Sequence, residues 1–236
     1  MKLDLLKRLN AARAARQAAI LVTDPESGEE RLVVESEGYQ REPLAAELAA
    51  RFRSGRSGAV ETGGGKSVFL TVYVPPPRLV VIGAVHISQE LAPIARIAGF
   101  DMTIVDPRTA FATPERFPDV PVLAEWPDEA IPKLKLDAYT ALAALTHDPK
   151  IDDLPIRAAL EAGCFYVGAL GSRKTHGKRL ERLRAAGVAE DKLARVRAPI
   201  GLEIGAQSPA EIAVAIMAEI IRALRLGSAA AKEQAA

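Results

Sequence analysis

The chain has 236 residues, 49% of them apolar and 26% charged, with a formal net charge of +1. This is the profile of an ordinary soluble globular protein, long enough to bury roughly 70% of the surface its unfolded chain exposes. A single cysteine, Cys164, excludes an internal disulfide and any zinc site built from several cysteines. Balanced charge gives no global pull toward nucleic acid or an anionic membrane, and 5% aromatic residues is thin for stacking on single strands.

The first third differs from the rest. Met1–Gln17 carries Lys2, Lys7, Arg8, Arg13 and Arg16, with Leu3, Leu6 and Leu9 on one helical face. This is the pattern of a surface helix, and a cytoplasmic location is expected. A strand at Ala18–Thr23, a turn on Pro25 and Gly28, a strand at Arg31–Glu35 and a helix over Pro43–Arg53 follow. The Gly-Ser-rich passage Ser54–Gly65 leads into Ser67–Val74, whose β-branched and aromatic residues predict a strand. Pro75-Pro76-Pro77 then stiffens the chain and marks a domain boundary. The expected division is a small N-terminal α/β accessory domain at 1–74, a main domain at 75–227 and a disordered tail at 228–236.

Beyond the prolines β and α alternate. The apolar runs Arg78–Ile82, Asp101–Val105, Ala138–Leu145, Cys164–Val167 and Val196–Ile200 predict strands, with a short one at Val120–Leu123. Helices are expected at Ser88–Ala98, Asp152–Ala162 and Lys174–Ala186. Pro107–Leu136 is proline-rich and irregular. Ser208-Pro209-Ala210-Glu211 is a capping box that opens a last helix, closed by Gly227. No stretch is long enough to span a membrane: the longest apolar run, Ile212–Ile221, is broken by Glu219. The fold class is α/β, a doubly wound, mostly parallel Rossmann-like sheet.

Chemistry is expected at the strand ends. Gly83-Ala84-Val85-His86 stands where a dinucleotide-binding turn would, with Asp106 placed 23 residues on to meet ribose hydroxyls. Only the first glycine of that turn is present, and Val85 in the place of the second is expected to hinder close approach of a pyrophosphate. Arg108 could clamp a phosphate or simply pair with Asp106. His147, in Thr146-His147-Asp148, could donate a proton, contact a ligand or serve structure. Gly168-Ala169-Leu170-Gly171-Ser172-Arg173-Lys174 opens a helix with two cations, which oppose the helix dipole and so suggest an anionic partner. The loop at Gly201 is glycine-rich and says little alone, and Cys164 fits a buried small hydrophobe better than a reactive thiol.

In order along the chain stand Pro-Pro-Arg-Leu-Val-Val-Ile-Gly-Ala with His86; Val105-Asp106 with Arg108, Phe111 and Ala112; Thr146-His147-Asp148; Gly168–Arg173; and Pro199-Ile200-Gly201-Leu202 through Pro209, Glu211 and Ile212. This ordered set resembles the C-terminal Rossmann-like domain of the XdhC family, accessory proteins of molybdenum hydroxylases, over roughly Pro75–Leu224. The resemblance implies a chaperone and not an enzyme. It would bind the molybdenum cofactor, as molybdopterin or its dinucleotide form, protect it, support its sulfuration and deliver it to an apo-enzyme of the xanthine or carbon monoxide dehydrogenase type. Implied partners are that apo-enzyme and a cysteine desulfurase, with a homo-oligomer compatible. The implied cofactor-binding set is Gly83, Ala84, His86, Asp106, Arg108, His147, Gly168, Gly171, Ser172, Arg173, Lys174 and Gly201, with no protein ligand to the metal. The chain departs from the family pattern at Val85, where the first loop usually reads Gly-Ala-Gly-His, and in lacking a Gly-Gly-Cys motif in its first third. Alternatives are an NAD(P)-dependent oxidoreductase, against which Val85 counts, and a docking protein that holds no ligand.

Overall fold

The structure, a computed structural model, describes residues 1–62 and 65–227. The expected tail at 228–236 lies outside the described residues. The chain divides into two compact units, Met1–Pro75 and Pro76–Ala236.

The first unit contains α1 (Leu3–Ala14), β1 (Ala19–Thr23), β2 (Glu30–Val34), a short 3-10 turn, α2 (Ala45–Ser54), β3 (Gly58–Glu61) and β4 (Ser67–Tyr73). Its antiparallel sheet has the order β2-β1-β4-β3. Strand periodicity sends Ala19 and Leu21 to the face that buries Leu5, Leu9 and Ala12 of α1. Strand β3 falls inside the passage expected to be a Gly-Ser loop. Its local sequence is weak, but pairing Gly58 to Leu70 and Val60 to Val68 satisfies one edge of β4.

The second unit runs β5 (Arg78–Ile82), α3 (His86–Ile97), β6 (Asp101–Val105), β7 (Val122–Leu123), α4 (Pro127–Leu134), β8 (Thr140–Ala144), α5 (Pro149–Glu161), β9 (Tyr166–Ala169), α6 (Arg173–Ala185), α7 (Glu190–Leu193), β10 (Val196–Arg197) and α8 (Pro209–Leu226). All six strands are parallel, in the order β10-β9-β8-β5-β6-β7. The expected doubly wound parallel sheet is therefore present. Leu79 and Val81 of β5 join a core with Leu91 of α3 and Ile216 of α8. Val80 and Ile82 join the opposite core with Ile131 of α4, Ile156 of α5 and Leu183 of α6. Helices thus cover both faces of strands that read as continuous apolar runs.

Two helix starts differ from expectation. Helix α5 begins at Pro149, because the Asp148 carboxylate accepts the Lys150 N–H at 2.9 Å and proline tolerates the first helical position. Helix α3 begins at His86, since the Ser88 hydroxyl does not cap it but donates to the Gly83 carbonyl at 2.6 Å. Helix α4 lies in the stretch expected to be irregular; Pro127 followed by Asp128 and Glu129 is an ordinary helix opening among many prolines.

Candidate functional site

The sheet starts at its centre with β5, builds outward through β6 to β7, then returns to place β8 on the other side of β5. The loops after β5 and β8 therefore leave in opposite directions, and the crevice between them is where open α/β sheets bind ligands. The two loops nearly touch: a Cβ on Gly83 would lie 2.8 Å from Cγ2 of Thr146. At φ +115°, Gly83 also occupies backbone space closed to other residues.

The carboxylate of Asp106 closes this loop from beneath. It is fully buried. Oδ2 accepts the Ala84 N–H at 2.8 Å and Nη2 of Arg108 at 2.7 Å, while Oδ1 accepts the Arg108 N–H and Nε, each at 2.9 Å. Burial pushes the carboxyl up, but the Arg108 guanidinium and the two N–H groups outweigh it and hold it below the usual range. All four acceptor positions of the carboxylate are filled. Asp106 therefore has no capacity left for ribose hydroxyls, and the expectation that it contacts a ligand is replaced by a role in holding the loop. Ala84 is committed as well: its carbonyl accepts Nη1 of Arg116 at 2.8 Å.

Val85 is not called on for a positive φ. Its φ of −101° is ordinary extended backbone, and its side chain packs against the core shared with α3 and α8. No side chain caps α3, so its first N–H groups, at His86 and Ile87, face outward beyond the strand ends. His86 is exposed beside them. Across the crevice Arg108 keeps Nη1 after pairing with Asp106, and its guanidinium lies 4.8 Å from the centre of the Phe111 ring.

The loops after β8 and β9 meet at His147. It is exposed with φ +64°, an uncommon conformation for a side-chain-bearing residue. A Cβ on Gly171 would lie 3.7 Å from its Nδ1. Arg173 and Lys174 are exposed in the first turn of α6 and form no ion pair among the described residues. Ser172 is less free than expected, because its hydroxyl accepts the Thr175 N–H at 3.2 Å and caps the helix.

Gly168 and Gly201 stand away from the crevice. Gly168 is buried within β9, where a Cβ would meet the Tyr166 hydroxyl at 2.5 Å and Ile200 at 2.7 Å. Gly201 donates its N–H to Glu219 at 2.8 Å and lies against Ala215 of α8. At both positions the lack of a side chain serves packing. Glu219 also accepts the Tyr166 hydroxyl at 2.6 Å, so one buried carboxylate ties β9 and the loop after β10 to α8. Cys164 is fully buried, and burial pushes its thiol up to about 12, as expected of an inert packing residue.

A sequence model of the XdhC Rossmann domain matches residues 79–220. The chain belongs to the XdhC family. Among relatives, it is 36% identical to the Escherichia coli protein YqeB over 178 residues, covering 72% of this chain and 32% of that one. It is 30% identical to a probable xanthine dehydrogenase subunit from Bacillus subtilis, covering 66% of this chain and 46% of the relative. It is also 30% identical to the molybdenum cofactor insertion chaperone PaoD of Escherichia coli, covering 67% and 44%. The chain thus spans less than half the length of each of these relatives. A crystal structure described as a xanthine dehydrogenase from Bacillus halodurans shares the fold, with a TM-score of 0.69 at 24% identity over 96% of this chain and 68% of that one.

Two charged groups of this XdhC-family chain, neither of them among the expected site residues, lie beneath the crevice. Asp152 of α5 is 1% exposed and accepts the Thr146 hydroxyl at 2.8 Å through Oδ1. Arg179 of α6 is 2% exposed and donates Nη2 to the Leu170 carbonyl at 3.0 Å. Each secures one strand-end loop. Burial pushes the Asp152 carboxyl up to about 6 despite the Thr146 hydroxyl and the nearby Arg179 charge. In the unfolded chain it titrates about two units lower. The native state therefore holds its proton more tightly, so this contribution to stability is complete below about pH 4 and is lost as pH rises through about 6. Asp152→Asn removes that dependence. The variant is expected to gain on the wild type between about pH 4 and pH 7, by on the order of 1–3 kcal/mol. Urea unfolding across that range checks it; a difference that does not change with pH would show that Asp152 titrates as in open water.

Among the described residues no three His, Cys, Asp or Glu side chains come together as a metal site, and no helix is long and apolar enough to cross a membrane.

Proposed function

We propose that this chain is a carrier for the molybdenum cofactor, held through its anionic groups over the crevice between β5 and β8 and passed to a molybdenum hydroxylase. The observation that carries this reading is the character of the crevice. The uncapped first turn of α3 and the remaining guanidinium edge of Arg108 are joined, at the neighbouring strand end, by Arg173 and Lys174 at the start of α6, which form no ion pair among the described residues. These donors suit an anion and are already in place, because Asp106 and Arg116 hold the β5 loop from below. Family membership supports the reading, as do two relatives whose names refer to cofactor insertion and to xanthine dehydrogenase.

When bound, the cofactor would bring the molybdenum and its redox chemistry. This chain's residues would bind and shield it. Backbone N–H groups of His86 and Ile87, with Arg108, Arg173 and Lys174, would hold negative charge, and His86 and His147 would face polar edges. No catalytic step is assigned. Support of sulfuration, a cysteine desulfurase partner, delivery to an apo-enzyme, a cytoplasmic setting and an accessory role for the first unit belong to the same proposal.

The strand order favours a second reading, an NAD(P)-binding oxidoreductase. The filled carboxylate of Asp106, which leaves nothing for ribose hydroxyls, counts against it. The test is anaerobic equilibrium dialysis of released molybdopterin, NAD and NADP against the purified chain. Molybdopterin should be retained, and the Arg173→Ala, Lys174→Ala double variant should retain it at least about tenfold more weakly, since charge-assisted hydrogen bonds are each worth about 1.5–3 kcal/mol. Tight NAD binding without molybdopterin retention would overturn the proposal. Retention undiminished in the double variant would remove the α6 cations from it.

A further inference from the structure

Arg179 is among the largest side chains that folding hides almost completely. Nη2 reaches the Leu170 carbonyl, but Nε and Nη1 meet no hydrogen-bond acceptor among the described residues. Buried guanidinium N–H groups without partners are costly and call for an explanation. The nearby carboxylates do not supply it. Asp153 is held by Arg182 at 2.5 and 3.0 Å, and Asp152 gives Oδ1 to Thr146 while its buried Oδ2 meets no donor among the described residues. Neither comes within 4.0 Å of Arg179 as an ion pair.

Arg179 lines a cavity of about 310 Å³ together with His147, Pro149, Lys174, Thr175, Lys178 and Arg182. Four cations of α6 therefore border one hollow, and among the described residues only Arg182 has a carboxylate of its own. Lys174, Lys178 and Arg182 fall four residues apart, a spacing at which like charges repel along a helix. Lys174 also stands in the first turn, the end of the helix dipole that disfavours cations. An anion in the hollow relieves the like-charge repulsion and the dipole term together, and its charge offsets that of the buried Arg179.

We propose that this cavity, between the first turn of α5 and the first three turns of α6, is a phosphoryl-binding site. Lys174 and Lys178 would contact the phosphoryl oxygens at the mouth, and Arg179 would supply charge from the wall. The volume lies at the lower end of the roughly 300–1,000 Å³ of small-molecule pockets and has room for a phosphate or diphosphate, and the cationic lining selects for such a group. Within the function proposed above, the site would take the cofactor's phosphoryl group. The site itself stands on the geometry of α5 and α6.

The test is a proton–nitrogen NMR titration of the full chain, without pterin, using inorganic phosphate, pyrophosphate and ADP at low salt. Saturable shifts are expected at amides of Lys174–Arg179 and of the start of α5, weakening as salt is added. Lys178→Ala is exposed and should fold normally while weakening phosphate about tenfold, the loss of one charge-assisted contact. Arg184→Ala, on the same helix but paired with Glu190, should leave the affinity unchanged. ADP binding more tightly than phosphate would assign the group to a nucleotide; equal affinities would assign it to free phosphate. Absence of saturable shifts, shifts confined to Gly83–Ile87, or an affinity unchanged by Lys178→Ala would overturn the proposal. Phosphate binding in a chain that fails to retain molybdopterin would leave this site standing and remove the cofactor reading, and the converse result would do the reverse.

Discussion

Gly83→Ala is expected to destabilise the chain by about 3–5 kcal/mol, through two separable causes. The first is conformational. At φ +115° any Cβ is strained, at a cost of about 1–3 kcal/mol. The second is steric. The new methyl would lie 2.8 Å from Cγ2 of Thr146 and 3.4 Å from its backbone nitrogen. Relief by movement would part the β5 and β8 loops, and with them the crevice. The double variant Gly83→Ala, Thr146→Ser removes the clashing methyl and keeps the hydroxyl that Asp152 accepts. It should recover part of the lost stability and leave the conformational part. Urea unfolding of the single and double variants checks this, and a Gly83→Ala chain as stable as the wild type would show that the two loops do not meet as described. Molybdopterin retention in Gly83→Ala should fall more than in the rescued double variant.

Asp106→Ala is expected to cost about 2–4 kcal/mol. It leaves the buried Ala84 N–H without its acceptor and releases Arg108 from a two-pronged pair. The figure stays below that for a fully buried ion pair because the Arg108 side chain is 37% exposed and water can take up its freed N–H groups. Asp106→Asn is the informative companion. Its amide oxygen can still accept from Ala84, so it should lose less stability than the alanine variant while still losing the charge that orients Arg108. The depressed Asp106 carboxyl contributes stability that is present above its unfolded value and lost as pH falls through the folded one. The gap between wild type and Asp106→Ala should therefore narrow in acid. Chemical unfolding at neutral and acidic pH measures it, and a gap that widened on acidification would contradict the role assigned to Asp106.

Much of the second unit was legible because strands buried on both faces appear as apolar runs, and Arg78–Ile82 and Asp101–Val105 match the expected bounds. The linked motifs also placed Gly83, His86, Arg108, His147, Arg173 and Lys174 at one end of the parallel sheet. Less legible was which polar groups remain free for a ligand. Asp106, Ser172, Gly168 and Gly201 sit in the expected motifs, yet their acceptors or spaces are taken by Arg108 and Ala84, by Thr175, by Tyr166 and Ile200, and by Glu219 and Ala215. The residues that hold the loops lie outside the glycine-rich stretches. Glu219 did leave a mark, as the one charge interrupting the longest apolar run. Asp152 and Arg179 left none, because charged residues on helices following strands are ordinarily solvated.

The amino-acid sequence by itself determined the α/β class, the parallel character of the main sheet, the capping box that opens α8 and the family. These follow from local periodicity, proline and glycine punctuation and ordered motifs, all of which act over a few residues. The tertiary structure alone decided the strand order that puts the crevice between β5 and β8, the pairing of β3, and the division of polar residues between those that hold the site and those that face a ligand. Each of these depends on partners far apart in the chain, such as Gly83 with Thr146 or Gly201 with Glu219. Whether a buried polar group is free depends on where folding brings its partner.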